Sequence, residues 1–232
     1  SFVMDRPTLE AAPMDRPVLG LFTPSHMTYT AERDEGTSEP TLTDLTAQAI
    51  ARLGQDPDGY YLMVEAGRID HAHHGVNAAR ALEDTDAFDL AIAAAMEMTS
   101  SEDTLIIVTA DHSHTLTMAG YPRRGNDILG LVVPPEGGSA ELAEATTATD
   151  GKPYTTLGYM NGPGSIANLA ERPVPETGVQ ARQQAGIPTS SETHAGEDVA
   201  LYGQGPGADR VRGVIEQNVV YDIIVNAFGW EE

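Results

Sequence analysis

Six of the seven histidines in this 232-residue chain lie in three short stretches, and each stretch also contains carboxylates. The stretches read, in chain order, VEAGRIDHAHH, VTADHSH and ETHAGEDVALYGQGP. Charged groups and imidazoles crowded behind an apolar run repel or desolvate one another unless a cation compensates them. The pattern therefore predicts a metal site rather than a set of isolated structural histidines.

Imidazole and carboxylate ligands decide which metals such a site suits. The chain has no cysteine, which excludes disulfides and thiolate sites but does not fix the redox compartment. Zinc suits these ligands, with cobalt, manganese or iron as alternatives. Asp70, His74 and His194 can supply one set of ligands, and Asp111 with His112 can supply most of a second.

A carboxylate with no adjacent imidazole is a different kind of ligand. Glu65 offers a hard oxygen of this kind, which suits the octahedral coordination of magnesium. Two transition metals about 3.5–4 Å apart are a recurring arrangement for displacement at phosphorus, where one activates the nucleophile and the other the leaving group. The ligand types are thus consistent with phosphorus chemistry.

Periodicity indicates the elements that position these residues. The segment TLTDLTAQAIARL opens with a Thr41-x-x-Asp44 start signal and predicts an amphipathic helix. The apolar run GYYLMV (59–64) predicts a short, fully buried strand. A second long helix is predicted over 77–98, and DTLIIVTA (103–110) predicts another buried strand.

The order strand, helix, strand predicts a right-handed crossover between parallel strands. In an open parallel sheet, functional residues collect beyond the carboxyl ends of the strands. Glu65 and Asp70, after the first strand, should then face Asp111 and His112, after the second.

Changes in composition divide the chain into three parts. Residues 1–119 carry two of the metal motifs and are predicted to form part of an α/β core. Residues 120–190 are rich in Gly and Pro (PPEGG, NGPG, ERPVPETG) with weak periodicity, which indicates a loop-rich insert. Residues 191–232 carry the third motif, a strand-like DVALY and a predicted closing helix, EQNVVYDIIVNAF, and return to the core.

The charge balance excludes some partners. The formal net charge is -22, and Lys152 is the single lysine, so nucleic acid and anionic membranes are not expected partners. A soluble acidic protein and an adaptation to high salt explain this charge equally well. No apolar run approaches the roughly twenty residues of a membrane span. The chain opens with Ser1 and shows no signal peptide, so a fragment and a processed product both remain open.

The three motifs resemble the metal-binding motifs in the C-terminal half of alkaline phosphatases, closer to the animal and marine-bacterial type than to the enteric type. The resemblance runs from about Leu19 to near Ala227 and includes GYPRRGNDILGL and YTTLGYMNGPG. It implies an α/β three-layer sandwich with a largely parallel central sheet and an inserted crown-like subdomain at 120–190. It also implies two zinc ions and one magnesium ion as cofactors.

Carried over by position, the resemblance assigns the metal ligands. It implies that the first zinc is bound by Asp70, His74 and His194, and the second by Asp111 and His112. The same resemblance assigns magnesium to Glu65.

Other residues of the motifs receive supporting roles or none. His71 and His114 are each one or two positions from a ligand, where an imidazole can orient carboxylates or water. His73 is interpreted equally well as an ordinary exposed histidine. Ala66 stands where relatives usually have glycine, and Glu39 stands where some relatives place a calcium carboxylate, although an exposed loop acid is the favoured interpretation.

The activity implied is hydrolysis of small phosphate monoesters through a phosphoserine intermediate. In the family the nucleophilic serine and the arginine that holds the phosphate come from the N-terminal half, and no DSA-like motif occurs in this chain. The catalytic nucleophile is therefore expected outside this chain. Ser113 is interpreted as a hydrogen-bonding neighbour, Arg68 as a brace for the carboxylates, and Arg123 with Arg124 as a solvated pair.

Assembly and location also follow from the resemblance alone. It implies a homodimer in which Tyr121 of the insert reaches toward the partner's active site, with a plain surface loop as the alternative. It also implies a periplasmic or secreted enzyme. The rival interpretations are another metal-dependent enzyme of the same superfamily, a phosphodiesterase or a cofactor-independent phosphoglycerate mutase, and a non-catalytic metal-binding protein.

Overall fold

The architecture is a mixture of short strands and helices. The computed structural model describes residues 1–135 and 145–230. In that part of the chain the α-helices are α1 (Arg6–Glu10), α2 (Leu42–Leu53), α3 (Arg68–His74), α4 (Ala78–Met98) and α5 (Val219–Ala227). The strands are β1 (Phe2–Val3), β2 (Leu19–Gly20), β3 (Ile106–Thr109), β4 (Ser113–His114), β5 (Leu116–Met118), β6 (Leu157–Gly162), β7 (Ala185–Pro188), β8 (His194–Ala195) and β9 (Leu201–Gln204).

The two long helices confirm the helical periodicity of the sequence. In α2 the hydroxyl oxygen of Thr41 accepts from the backbone N–H of Asp44, whose carboxylate accepts in turn from the N–H of Thr41. This capping box satisfies two amide groups that an α-helix leaves unpaired at its start. Helix α4 begins after Asn77, whose side chain caps the N–H of Arg80. Helices α2 and α3 both pack against α4.

The predicted buried strand at 59–64 is wrong. The segment has no regular secondary structure, and its side chains alternate between half-buried and exposed. Tyr61 is 61% exposed and Met63 is 72% exposed. A strand is stable only when neighbours satisfy its backbone groups and cover its faces, and the described residues supply no such neighbour here.

The strand predicted at the second metal motif is confirmed, but its burial and its pairing differ from the prediction. Strand β3 is half-buried rather than fully buried, and it pairs antiparallel with β9, with Val108 opposite Tyr202. The parallel crossover predicted from the sequence is therefore wrong for this strand, because the segment expected to pair with it is not a strand. The two-strand sheet brings the second motif beside the third.

The remaining pairings are short. Strands β1 and β2 are parallel, β4 and β8 are antiparallel, and β6 lies between antiparallel β5 and parallel β7. The mixed α/β class is confirmed. The largely parallel central sheet stays a prediction, because these small sheets do not form it.

The stretch from 120 to 190 contains β6 and β7 and is otherwise made of turns and irregular segments in the described residues. Of its Gly-rich motifs, the EGG of PPEGG lies outside the described residues. The boundaries of a crown-like subdomain stay a prediction. The closing helix predicted near the C-terminus is confirmed as α5, and Ile223 is its buried residue.

The core consists of small separate clusters. One joins Val76, Tyr159 and Ala185 beside the His-rich segment, and another joins Tyr29 with Ala72 and Ala81. Within the described chain, no helix combines the length and the apolar character that crossing a membrane requires.

Candidate metal centre

Helix α3 positions the first pair of candidate ligands. This short helix was not predicted from the sequence, which placed the residues after a strand. Asp70 and His74 are four residues apart on it and therefore lie on one face. The Nε2 atom of His74 is 3.3 Å from Oδ1 of Asp70.

Strands β4 and β8 position a second pair. In their antiparallel register His114 lies directly opposite His194. Directly opposed residues of an antiparallel pair have side chains about 4.5–5.5 Å apart at Cβ, so both imidazoles project from the same face. His112 precedes β4 and stacks on His194, with ring centroids 3.5 Å apart.

The three motifs converge on a single oxygen atom. The Nε2 atoms of four imidazoles surround Oδ1 of Asp70, at 3.0 Å for His114, 3.3 Å for His74, 3.3 Å for His194 and 3.9 Å for His112. The ligand atoms of Asp70, His112, His114 and His194 all lie within 4.8 Å of one another. The sequence prediction that distant motifs meet is thus confirmed, although the topology that joins them differs from the one predicted.

Two unpartnered buried atoms show that this cluster fits a cation. Oδ1 of Asp70 and Nε2 of His114 are buried, and neither has a hydrogen-bond partner among the described residues. These two atoms are 3.0 Å apart, and Nδ1 of His114 donates to the carboxylate of Glu192 on the other side of the ring. Buried polar atoms without a hydrogen bond are costly, and a cation beside them would satisfy both. The residues therefore fit a metal ion.

The orientation of the imidazoles depends on Glu192, which the sequence analysis did not single out. Its side chain is fully buried. The carboxylate accepts from Nδ1 of His114 at 2.8 Å, and the backbone carbonyl of the same residue accepts from Nδ1 of His74 at 2.6 Å. The only sequence signal was its position two residues before His194 in the third motif.

The comparisons with known proteins show which family the chain belongs to. The family model for alkaline phosphatase matches residues 1–229. The chain belongs to the alkaline phosphatase family. It is 42% identical over 207 residues to the alkaline phosphatase of Gadus morhua, covering 88% of this chain and 41% of that protein. It is 42% identical over 214 residues to the tissue-nonspecific isozyme of Homo sapiens, covering 90% of this chain and 38% of that protein.

Solved structures show the same fold. The alkaline phosphatase from the Antarctic bacterium TAB5 matches with a TM-score of 0.60 at 19% identity, over 97% of this chain and 50% of that chain. A mutant of the TAB5 enzyme matches with a TM-score of 0.59 at 21% identity, over 94% of this chain and 48% of that chain. The predicted alkaline-phosphatase-like α/β fold is confirmed. The chain spans about two fifths of the length of the relatives from Gadus morhua and Homo sapiens.

Two of the ligands expected from the alkaline phosphatase family lie at the margin of the cluster. The side chain of Asp111 is 88% exposed, with Oδ2 3.4 Å from Nε2 of His112. Glu65 is also exposed. Within the described residues neither side chain belongs to a group of three close ligands. Their roles as zinc and magnesium ligands stay predictions.

His73 is not the ordinary exposed histidine that the sequence left open. It stacks on His114 with ring centroids 4.6 Å apart, and its Nδ1 lies 2.9 Å from the hydroxyl of Tyr159. Burial, and next the neighbouring His114, lower the pKa of His73 to about 4. Burial raises the pKa of Tyr159. A neutral imidazole thus packs behind the candidate ligands.

The other side of α3 has a different character. His71 contacts the exposed His26 edge to face, with ring centroids 4.3 Å apart, and burial lowers its pKa. The guanidinium of Arg68 lies 3.5 Å from the ring centroid of Tyr29, and its Nη1 atom is 3.5 Å from Nδ1 of His71. The contacts described for Arg68 are thus to an aromatic ring and an imidazole, and its role as a brace for carboxylates stays a prediction.

Two polar residues considered in the sequence analysis have clear structural partners. Ser113 donates to Glu197 at 2.8 Å, as expected of a hydrogen-bonding neighbour, and this bond lowers the pKa of Glu197. Glu39 is not an exposed loop acid, because it accepts from the backbone and hydroxyl of Thr28 and lies 3.5 Å from Arg33. Its side chain is 12% exposed.

The residues of the insert that were considered for function lie at the surface. Tyr121 is 90% exposed, which suits a contact with another subunit but does not test it. Arg123 and Arg124 are also exposed, and their interpretation as a solvated pair stays a prediction.

Proposed function

We propose that the protein to which this chain belongs hydrolyses small phosphate monoesters to an alcohol and inorganic phosphate. The observation that carries the proposal is the convergence of four imidazole Nε2 atoms on Oδ1 of Asp70. Within the described chain, this oxygen and Nε2 of His114 are buried without a hydrogen-bond partner. Membership of the alkaline phosphatase family supports the same reaction. The substrate class and the reaction are proposals because this chain spans only part of its relatives.

We assign the first zinc to Asp70, His74 and His194. Oδ1 of Asp70, Nε2 of His74 and Nε2 of His194 are each 3.3 Å from the other two. The second zinc is assigned to Asp111 and His112, and magnesium to Glu65, by their positions in the family motifs. The mutant TAB5 structure has Mg bound, which supports magnesium as a cofactor of this family. When bound, such metals activate a nucleophile and stabilise the leaving oxygen.

The residues of this chain prepare the site rather than attack the phosphate. His74 and His114 each donate from Nδ1 to Glu192, so that the Nε2 atoms of both rings face the cluster. The ring of His73 stacks on His114, and the hydroxyl of Tyr159 contacts Nδ1 of His73 and so holds that ring in place. Ser113 donates a hydrogen bond to Glu197. We place the attacking serine in the part of the relatives that this chain does not span.

A phosphodiesterase is the second candidate, because ligands of this type also occur in related metal enzymes that cleave diesters. Two substrates separate the candidates. With zinc and magnesium present, we expect the complete protein to release p-nitrophenol from p-nitrophenyl phosphate and to leave bis(p-nitrophenyl) phosphate nearly untouched. Preferential cleavage of the bis-ester would replace the proposed function with the second candidate.

The isolated 232-residue chain should bind zinc but should not turn over phosphate monoesters. Complementation tests this directly: the chain is assayed alone and then together with the remaining segment of the complete protein. Turnover by the isolated chain that is abolished by Ser113→Ala would contradict our placement of the nucleophile.

The complete protein is also proposed to be an exported homodimer, periplasmic or secreted. The exposed Tyr121 supports a contact from the insert to a second subunit. Sedimentation at micromolar concentration should give a dimer, and Tyr121→Ala should change KM more than it changes zinc content. A fully active monomer would contradict the dimer.

A further inference from the structure

Glu192 is a buried carboxylate whose every polar atom is engaged. The residue is 1% exposed. Oε2 accepts from His114, while Oε1 accepts from the backbone N–H of Thr115 at 2.6 Å and from its hydroxyl at 2.8 Å. Burying an unpaired carboxylate costs several kcal/mol, so such a group persists only when hydrogen bonds of this kind hold it.

The backbone of Glu192 is engaged as well. Its N–H donates to the carbonyl of His74 at 3.0 Å, and its own carbonyl accepts from Nδ1 of His74 at 2.6 Å. This two-way connection joins the end of α3 to the segment that carries His194. One residue therefore contacts both the helix and the strand pair that form the cluster.

We propose that Glu192 is the positioning residue of the first zinc site: its carbonyl holds the ring of the ligand His74, and its carboxylate holds the ring of His114 beside the ligand Asp70. This inference rests on the proposed metal site. An acceptor on the second nitrogen of a metal-binding imidazole fixes the ring orientation and the proton, and hydrogen bonds to the neighbours of ligating carboxylates orient those ligands as well. In this chain a single residue acts on one ligand directly and on a second through His114.

A direct role for Glu192 as a metal ligand is the competing interpretation. His74, His114 and Glu192 do form a group with ligand atoms within 4.8 Å of one another. The nitrogen atoms on that side of both rings, however, are the Nδ1 atoms that donate to Glu192. A protonated nitrogen has no lone pair for a metal, so the Nε2 atom of His74, on the Asp70 side, is the available ligand of that ring.

Replacing the carboxylate by an amide gives a sharp test. In Glu192→Gln the backbone N–H of Thr115 still requires an acceptor, so the amide oxygen takes the place of Oε1. The amide NH₂ then faces Nδ1 of His114, where two donors cannot meet. The proton of His114 should move to Nε2, toward Asp70, whereas His74 keeps its tautomer because a backbone carbonyl holds it.

The experiment uses the complete protein and its Glu192→Gln variant, with Glu171→Gln as the matched control. Glu171 is an exposed carboxylate that pairs with Lys152 at 2.6 Å, outside the cluster. Nitrogen-15 NMR of the histidine rings reports the tautomers, and competition with a chromogenic chelator reports zinc affinity. Circular dichroism confirms that the isosteric variant is folded.

We expect Glu192→Gln to shift His114 to the Nε2–H tautomer, to leave His74 unchanged and to lower zinc affinity about 10–100-fold. Glu171→Gln should match the unaltered protein in all three respects. An unchanged His114 tautomer with unchanged zinc affinity would overturn the inference. Failure of the unaltered protein to bind zinc would instead overturn the proposed function, so the two failures are distinguishable.

Discussion

The guanidinium of Arg172 donates to both carboxylate oxygens of Asp150, from Nε to Oδ2 at 2.7 Å and from Nη2 to Oδ1 at 2.8 Å. The same side chain donates from Nη1 to the carbonyl of Pro153 at 2.8 Å and to Gln184 at 3.3 Å. A paired arrangement of this kind is stronger and more specific than a single ion contact. Through these contacts Arg172 connects the loop that contains Asp150 and Pro153 to Gln184, the residue just before β7.

The first prediction concerns the titration of Asp150. The hydrogen bond from Arg172 lowers the pKa of Asp150 from 3.8 to about 2. Because the folded pKa is the lower one, this stabilising contribution is complete above about pH 4 and is lost as pH falls toward 2. In Arg172→Gln the pKa of Asp150 should return toward 3.8, as measured by carboxyl chemical shifts. In the control Arg16→Gln, which removes an exposed pair with Asp15, the pKa of Asp150 should not move.

The second prediction concerns Gly205, which follows β9. Its φ is +100°, and a Cβ there would lie 1.9 Å from the carbonyl oxygen of Thr104. Gly205→Ala should therefore lower the free energy of unfolding by more than about 2 kcal/mol, because strain and a backbone clash act together.

Gly213 is the matched control for Gly205, since its φ is +69° and nothing lies within 4 Å of a Cβ placed there. Gly213→Ala carries backbone strain alone and should cost about 1 kcal/mol. Urea denaturation of both variants measures the difference. Equal costs would show that the loop after β9 moves away from Thr104 without penalty.

The third prediction concerns the ligand set. His194→Ala should remove one equivalent of zinc and lower kcat/KM at least 100-fold, because the first zinc loses one of its three proteinaceous ligands. Zinc content is measured by atomic emission and activity with p-nitrophenyl phosphate. His26→Ala, which changes an exposed histidine outside the cluster, should keep the full zinc content. Full zinc content in His194→Ala would contradict the assignment.

The fourth prediction concerns salt. A net charge of -22 creates self-repulsion, which molar salt screens by shortening the Debye length to about 3 Å. Raising NaCl from about 0.1 to 2 M should therefore raise Tm. Changing the exposed Glu83, Asp86 and Glu97 of α4 to Lys should weaken this dependence on salt. A Tm that falls with salt in the unaltered protein would contradict adaptation to high salt.

The elements that were predicted correctly are those whose signals are local. Helix α2 carries its own start signal in Thr41 and Asp44, and its apolar periodicity spans the whole element. Helix α4 is long enough for periodicity alone to identify it. The clustering of histidines and carboxylates likewise predicted the site, because ligand chemistry is visible in residue types.

The elements that were missed depend on distant neighbours. Residues 59–64 have a strand-like composition, but a strand also needs partners, which the described chain does not provide. The burial of His73 arises from Tyr159, 86 positions away, and the importance of Glu192 arises from His74 and His114. No local pattern encodes such contacts, so the candidate ligands and His114 were singled out from the sequence, whereas Glu192 and the packing of His73 were not.

The distance along the chain between His74 and His194 has a further consequence for the biogenesis of the protein. Their Nε2 atoms are 3.3 Å apart, although 120 positions separate the residues. The chain must therefore leave the ribosome at least as far as His194 and close on itself before these residues meet, and contacts of such long range form slowly. In a chain without cysteine, the proposed zinc would act as a reversible cross-link between α3 and β8 that chelators, rather than reductants, undo.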